Sequence, residues 1–277
     1  MEHDGTVENC EPVPLAPAGN PGAPSAAGAS VLRRRSARPS RRAAVYVHCV
    51  GDPLVAPDVA DWYTNRGFHF YAADLREVGA HGRGGNEAKA AAEDLGECFA
   101  CLDATVAHLR EADAIDTVVV CAHGTGALVA ALWCHARRGS RPVDALVLAS
   151  PNLGRRAPWP SRARAARDGA ADRRAAPLVA RARRCLLRGL DIPCPVLVMS
   201  PARGWDVPGG PGGPLMRRVF APGHATMRLG EHVTWLKLEG GPAGPQLPDG
   251  PERRRLFDEL SRWLGAYLSA QIRDQLL

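Results

Sequence analysis

The chain has almost no lysine and no long apolar run. Lys89 and Lys237 are the only lysines among its 35 basic residues, so arginine supplies nearly all of the positive charge. Together with abundant alanine, glycine and proline, this bias is typical of a GC-rich genome, and it weakens arginine as evidence for nucleic-acid binding. No apolar stretch reaches the roughly 20 residues that cross a bilayer. We therefore expect neither a nucleic-acid partner nor a membrane span.

The first 42 residues are poor in large apolar side chains. They carry Glu2, Asp4 and Glu8 and no apolar signal-peptide core, so we expect a cytoplasmic protein whose eight cysteines are thiols. Composition predicts a loosely ordered segment over residues 1–42, with remnants of edge strands at 13–15 and 30–32.

From residue 43 onward, short apolar runs alternate with amphipathic segments. The runs predict strands at 43–48, 68–73, 117–121, 145–149, 195–199 and 233–238. Helical spacing predicts helices at 57–65, 88–111, 127–137 and 252–270. This alternation is typical of an α/β fold with a doubly wound, mostly parallel sheet. We assign its core to 43–153 and 190–277, and a short Arg-rich cap insertion to 154–189.

One turn between a strand and a helix is made of small residues. It reads Ala122-His123-Gly124-Thr125-Gly126 and leads directly into the predicted helix. In a nucleophile elbow, G-x-S-x-G, small residues flank a serine because the strand turns abruptly into the helix. Here the flanking residues are small, but Gly124 stands at the nucleophile position.

Several stretches resemble the α/β-hydrolase superfamily, in particular actinobacterial members of the serine aminopeptidase and monoglyceride-lipase-like type. Those proteins typically read V-H-G, Y-A-L-D-L-R and G-H-S-T-G-G-L. The corresponding stretches here are Val47-His48-Cys49, Tyr71-Ala72-Ala73-Asp74-Leu75-Arg76 and Ala122-His123-Gly124-Thr125-Gly126-Ala127-Leu128. The resemblance covers most of residues 43–270 and implies an α/β-hydrolase fold and an esterase- or lipase-like ancestry.

The departures from this family fall at the positions of its catalytic triad. Gly124 replaces the serine, and Ala243 stands where the resemblance places the histidine base. No histidine follows His232, and Asp206 is the only carboxylate left in the region of the acid. Because Ser-His-Asp hydrolysis needs a nucleophile, a base and an orienting acid, we expect that this activity is lost. The prediction is a pseudo-hydrolase that binds a partner or a small apolar or acyl-type ligand.

Two alternatives stay open. His48 and His123, with Asp52, could line one site and support non-hydrolytic acid–base chemistry of the lyase or cyclase type. Alternatively, Cys49 or Asp206 could serve an unusual hydrolase site. Four residues are candidates for lining the site or its oxyanion-like corner: His48, Cys49, His123 and Thr125.

The sequence assigns neither a metal nor a cofactor. Cys98 and Cys101 form a C-x-x-C pair within an apolar helical stripe, with no second pair at zinc spacing, so we predict that they pack in the core. The oligomeric state is left open.

Overall fold

The computed structural model describes residues 10–16, 30–48, 57–75, 95–149, 184–185, 188–201, 228–238 and 250–274. Within these residues, eight strands form one sheet in the order β1-β2-β4-β3-β5-β6-β7-β8. The strands are β1 (Glu11–Pro14), β2 (Ser30–Arg34), β3 (Arg42–His48), β4 (His69–Asp74), β5 (Thr117–His123), β6 (Ala145–Ala149), β7 (Val196–Pro201) and β8 (Val233–Leu238). Strands β3 to β8 pair with their neighbours in parallel. Strand β2 pairs antiparallel with β4, and β1 pairs antiparallel with β2. The predicted doubly wound, mostly parallel sheet is confirmed.

Four α-helices within the described residues cover this sheet. They are α1 (Pro57–Thr64), α2 (Leu95–Glu111), α3 (Gly124–Ala136) and α4 (Pro251–Asp274). Alternate strand residues divide the apolar core into two clusters, one on each face of the sheet. Buried residues of α2 and α3 belong to the first cluster, and buried residues of α1 and α4 belong to the second. Cys98 and Cys101 are buried in the first, as predicted.

The N-terminal strands are built into the core. Val13, Leu15 and Val31 retain 7%, 5% and 1% of their exposed surface and belong to the same apolar cluster as α2 and α3. Strand β2 pairs with β4 in a register that sets Arg33 opposite Tyr71.

A partly buried carboxylate, that of Asp113, joins these strands to the rest of the molecule. Arg33 Nη1 donates hydrogen bonds to both carboxylate oxygens of Asp113, at 2.8 and 3.1 Å, and the Tyr71 hydroxyl donates to Asp113 Oδ2 at 2.7 Å. His108 Nε2 lies 3.2 Å from the same oxygen, and Arg33 Nε also donates to Glu11 at 2.8 Å. Asp113 therefore connects β1, β2 and β4 to the turn between α2 and β5.

The parallel strands give the sheet two unlike edges. We call the edge where β3 to β8 begin the amino edge, and the edge where they end the carboxyl edge. Strands β3, β4 and β5 end at His48, Asp74 and His123. Ligands of open α/β sheets bind outside the carboxyl ends of the strands, so the candidate site lies at the carboxyl edge. Predicted features at 154–183 fall outside the described residues.

Candidate active site

Strand β5 turns into α3 without an intervening loop. His123, the last strand residue, has extended backbone angles of φ −121° and ψ 149°, and the helix begins at the next residue, Gly124. Gly124 has a φ of 55°, in the left-handed region that residues with a side chain rarely adopt. This abrupt strand-to-helix turn matches the backbone context in which a nucleophile elbow is built.

The first turn of α3 faces the carboxyl edge. His123, at the N-cap position, makes no side-chain capping hydrogen bond to it. The first backbone N–H groups of a helix have no partner within the helix, and they lie at the positive end of its dipole. This corner can therefore stabilise a ligand oxygen that carries negative charge.

The histidines that the structure describes divide between the two edges of the sheet. Those at the amino edge are His69, which begins β4, His108 and His135, near the ends of α2 and α3, and His232, just before β8. Both ring nitrogens of His69 are engaged: Nδ1 accepts a hydrogen bond from Ser36 N at 3.1 Å, and Nε2 lies 3.0 Å from Ser40 O. Nδ1 of His135 accepts a hydrogen bond from Asp191 N at 2.9 Å. Of the described histidines, only His48 and His123 lie at the carboxyl edge.

Backbone pairing places three chemistry-bearing residues in one row at this edge. His48 is the register partner of Asp74 on β4, and His123 follows Ala122, which pairs with Val47 on β3. His123 in turn pairs with Ala149 on β6. Asp74, His48 and His123 thus end three adjacent strands at the same level. Along the chain, His48 and Asp74 are 26 residues apart, and Asp74 and His123 are 49 residues apart. Local sequence patterns do not reveal this row.

Beneath the row, two buried polar groups lie in the core that α1 covers. Cys121 precedes His123 by two residues on β5 and is 6% exposed, and Tyr63 on α1 is fully buried. Burial raises the pKa of the Cys121 thiol to about 12, despite the opposing effect of the nearby Tyr63 hydroxyl. The thiol is therefore neutral at physiological pH and acts as a packing group rather than a nucleophile.

The structure describes some of the predicted site residues only in part. It places Gly124 and His123 at the turn, with His123 partly buried, and it places the backbones of His48 and Thr125 at the end of β3 and in the first turn of α3. The side chains of His48 and Thr125 are not described. Cys49, Asp52, Asp206 and Ala243 lie outside the described residues, so their roles remain predictions.

Other features are reported for the described part of the chain only. Among its side chains, no group of three or more His, Cys, Asp or Glu residues could hold a metal ion. None of its helices has the length and apolar character that a bilayer span requires.

Comparison with solved structures identifies the fold. An esterase of Pyrobaculum calidifontis covers 94% of this chain and 86% of its own, with a TM-score of 0.59 and 16% identity. A monoacylglycerol lipase of Paleococcus ferrophilus covers 86% and 99%, with a TM-score of 0.54 and 17% identity. Est1E of Butyrivibrio proteoclasticus covers 93% of this chain and 99% of its own, with a TM-score of 0.58 and 11% identity. At these identities the likeness establishes the fold, which is that of the α/β-hydrolases.

The sequence establishes the family within that class. The model of the serine aminopeptidase family, S33, matches residues 40–184, and the chain belongs to this family. None of the curated protein sequences matches this chain.

Proposed function

We propose that this protein binds a ligand or a partner on an α/β-hydrolase fold and no longer hydrolyses through a Ser-His-Asp triad. The observation that carries the proposal is the turn at Gly124. Its φ of 55° keeps the sharp strand-to-helix geometry of an elbow, yet the residue at the turn has no side chain. A covalent nucleophile must supply a side-chain oxygen, sulfur or nitrogen atom at this corner, and Gly124 supplies none of them.

The position of the last histidine supports the loss of the general base. His232 is followed by no other histidine in the sequence. It directly precedes β8, and its carbonyl accepts a hydrogen bond from Val196 N at 2.8 Å at the start of β7. The six residues of β8 span roughly 20 Å at about 3.3 Å per residue, so His232 is a whole strand length away from the carboxyl edge. It cannot replace the missing base at Ala243.

The chemistry of the corner favours an acyl-type ligand. The first turn of α3, to which His123 makes no side-chain capping bond, can donate backbone hydrogen bonds to a carbonyl or carboxylate oxygen. A protein that keeps the oxygen-binding corner without the nucleophile would hold such a ligand without cleaving it.

Turnover of short-chain p-nitrophenyl esters tests the proposal. We expect the wild-type rate to equal that of a heat-inactivated sample, and we expect Gly124→Ser alone to add no activity because the base is still missing. Efficient hydrolysis by Gly124→Ser would show that another residue serves as the base. If the wild type turns over the ester and iodoacetamide abolishes this activity, the result would favour a hydrolase with Cys49 as an unusual nucleophile. If the activity resists iodoacetamide, the result would favour a site that uses Asp206.

The row at the carboxyl edge favours one second candidate function, a lyase- or cyclase-type reaction. Imidazoles and carboxylates transfer protons without a serine, and His48, Asp74 and His123 end neighbouring strands. Mass spectrometry of hydroxyacyl compounds after incubation tests it. Products that form without addition of water, and that are lost in His123→Gln, would support this candidate over a binding protein.

A further inference from the structure

The sheet ends laterally in two outer strands of different composition. On one side lies β1, which has four residues, and its Pro12 and Pro14 have no N–H group to donate to a further strand. On the other side lies β8, which has six residues and no proline. Short length and proline protect an outer strand from pairing with another chain. Of the two outer strands that the structure describes, β1 has this protection and β8 lacks it.

The ladder between β7 and β8 determines which backbone groups of β8 point outward. Val196 pairs with Val233, and its N–H donates a hydrogen bond to the carbonyl of His232 at 2.8 Å. In a parallel ladder, alternate residues direct both backbone groups to the same neighbour, so the even-numbered residues of β8 bond to β7. The backbone groups of Val233, Trp235 and Lys237 therefore point away from the sheet. Within the described ranges, no strand pairs with them.

The side chains of β8 are less buried than those of the inner strands. All five residues of β6 are buried, whereas the first four residues of β8 are only partly buried. Val233 and Trp235 pack against the apolar cluster of α2 and α3, and Leu236 packs against the cluster of α1 and α4. Both layers of the core thus extend to β8, and they leave apolar surface there that a further strand would cover.

Side-chain bonds hold β8 in place. Trp235 Nε1 donates a hydrogen bond to Ser200 Oγ on β7 at 2.8 Å, and Lys237 Nζ lies 4.3 Å from the centroid of the Trp235 ring. Trp263 Nε1 of α4 donates to Thr234 Oγ1 at 3.0 Å. A strand that is already ordered loses little further conformational entropy when it pairs with another.

The order of charges along β8 identifies a second copy of the chain as the partner. A two-fold axis pairs a strand with itself antiparallel, and outward-pointing residues then meet only if the axis passes beside a residue. With the axis at Thr234, Val233 lies opposite Trp235 of the second copy, and the exposed Glu231 lies opposite the exposed Lys237. Both kinds of pair are favourable across strands, and symmetry forms each of them twice. With the axis at Trp235, Lys237 would lie opposite Val233 and gain no charge partner.

We propose that β8 pairs antiparallel with β8 of a second copy, so that two chains form a dimer with one continuous sheet and a two-fold axis at Thr234. The interface goes beyond the proposed function, because it lies at the lateral side of β8 and not at the corner of Gly124. The protein can dimerise through this strand whether or not it hydrolyses esters.

Sedimentation velocity of the full-length protein over a range of concentrations tests the proposal. We expect the wild type to form a dimer. Lys237→Glu would place two pairs of like charges at the interface, and we expect the dissociation constant of the dimer to rise at least about tenfold. In the double variant Glu231→Lys with Lys237→Glu, the opposite charges are exchanged but still paired, so the dimer should return.

Arg254→Glu is a matched control, because it makes the same change of net charge at an exposed residue of α4. This variant should dimerise as the wild type does. A wild-type chain that stays monomeric at every concentration, or a dimer that Lys237→Glu does not weaken, would overturn the proposal. A folded double variant that stays monomeric would overturn it as well.

Disulfide trapping tests the position of the axis without a change of charge. In a dimer of Thr234→Cys, the two cysteines would lie opposite each other in a non-hydrogen-bonded pair, with Cα atoms about 4.5 Å apart, which a disulfide can span. We expect oxidised glutathione to link two chains through these cysteines, as peptide mass spectrometry would show. Val233→Cys, whose counterparts are offset by two residues, should link far less. No link in Thr234→Cys, or equal linking in both variants, would refute the proposed pairing.

Discussion

Histidine and aspartate residues lie at both the amino and the carboxyl edge of the sheet, but their surroundings differ. At the amino edge, charged and imidazole groups are tied into the fold: Asp113 binds Arg33 and Tyr71, and His69 bonds to backbone on both sides. At the carboxyl edge, Asp74, His48 and His123 end three adjacent strands, and α3 begins directly after His123. The presence of histidine or aspartate therefore says little about function in this protein, whereas the edge at which the residue lies says much more.

Substitution of the partly buried carboxylate at the amino edge should have the largest effect on stability. Asp113→Asn would remove the charge that accepts two hydrogen bonds from Arg33, and the two side chains are only 10% and 14% exposed, although Arg33 would keep its bond to Glu11. Breaking a buried ion pair costs about 3–5 kcal/mol and an exposed pair contributes about 0–1 kcal/mol, so we expect the free energy of unfolding in urea to fall by about 2 kcal/mol.

Asp116→Asn is a matched control three residues away. Asp116 pairs with Arg41, but their side chains are 62% and 67% exposed, and exposed pairs contribute about 0–1 kcal/mol. Equal losses in Asp113→Asn and Asp116→Asn would contradict the view that Asp113 anchors the N-terminal strands.

The pH dependence of the unfolding free energy should show whether the charge of Asp113 is what stabilises the fold. Burial alone would raise the pKa of Asp113, but the hydrogen bond from Tyr71 and the charge of Arg33 outweigh it and hold this pKa below its ordinary value. A lowered folded-state pKa contributes stability above the unfolded-state value of about 3.9, and that contribution is lost as the pH falls through the folded-state pKa. The difference in unfolding free energy between wild type and Asp113→Asn should be constant near neutrality and narrow below about pH 4. A difference that stays constant down to pH 3 would show that the charge of Asp113 is not its source.

A smaller effect is expected at the turn of the carboxyl edge. Gly124→Ala places a Cβ on a residue with φ of 55°, and left-handed backbone costs a residue with a side chain about 1–2 kcal/mol. We expect a loss of about 1 kcal/mol in thermal or urea unfolding. Gly139→Ala is the control: no atom lies within 4 Å of its added Cβ and its φ is not in the left-handed range, so stability should be unchanged or slightly higher. Identical behaviour of the two variants would argue against a strained turn.

Local sequence patterns predicted the fold well, because each parallel strand is a continuous apolar run. The predicted strand at 145–149 coincides with β6, the predicted helix at 57–65 with α1 to within a residue, and the abrupt turn from β5 into α3 lies where the small residues indicated it. These features depend on neighbours along the chain, which a pattern contains.

Contacts between distant segments could not be predicted in the same way. Arg33 and Asp113 are 80 residues apart, and nothing local to either residue indicates that they meet. The row of Asp74, His48 and His123 likewise depends on strand register, which pairing across the sheet determines. The sequence therefore grouped His48 and His123 in one candidate site with Asp52, and it did not include Asp74 among the candidate residues.

Reaction with a fluorophosphonate, followed by intact-protein mass spectrometry, tests the central claim most directly. This reagent forms a covalent adduct with the activated serine of a working hydrolase site. The account predicts an unmodified wild-type mass after prolonged incubation at neutral pH, the same as for heat-denatured protein. A stoichiometric adduct on the native chain, mapped to Thr125 or to any serine, would show that an activated nucleophile exists and would contradict the account.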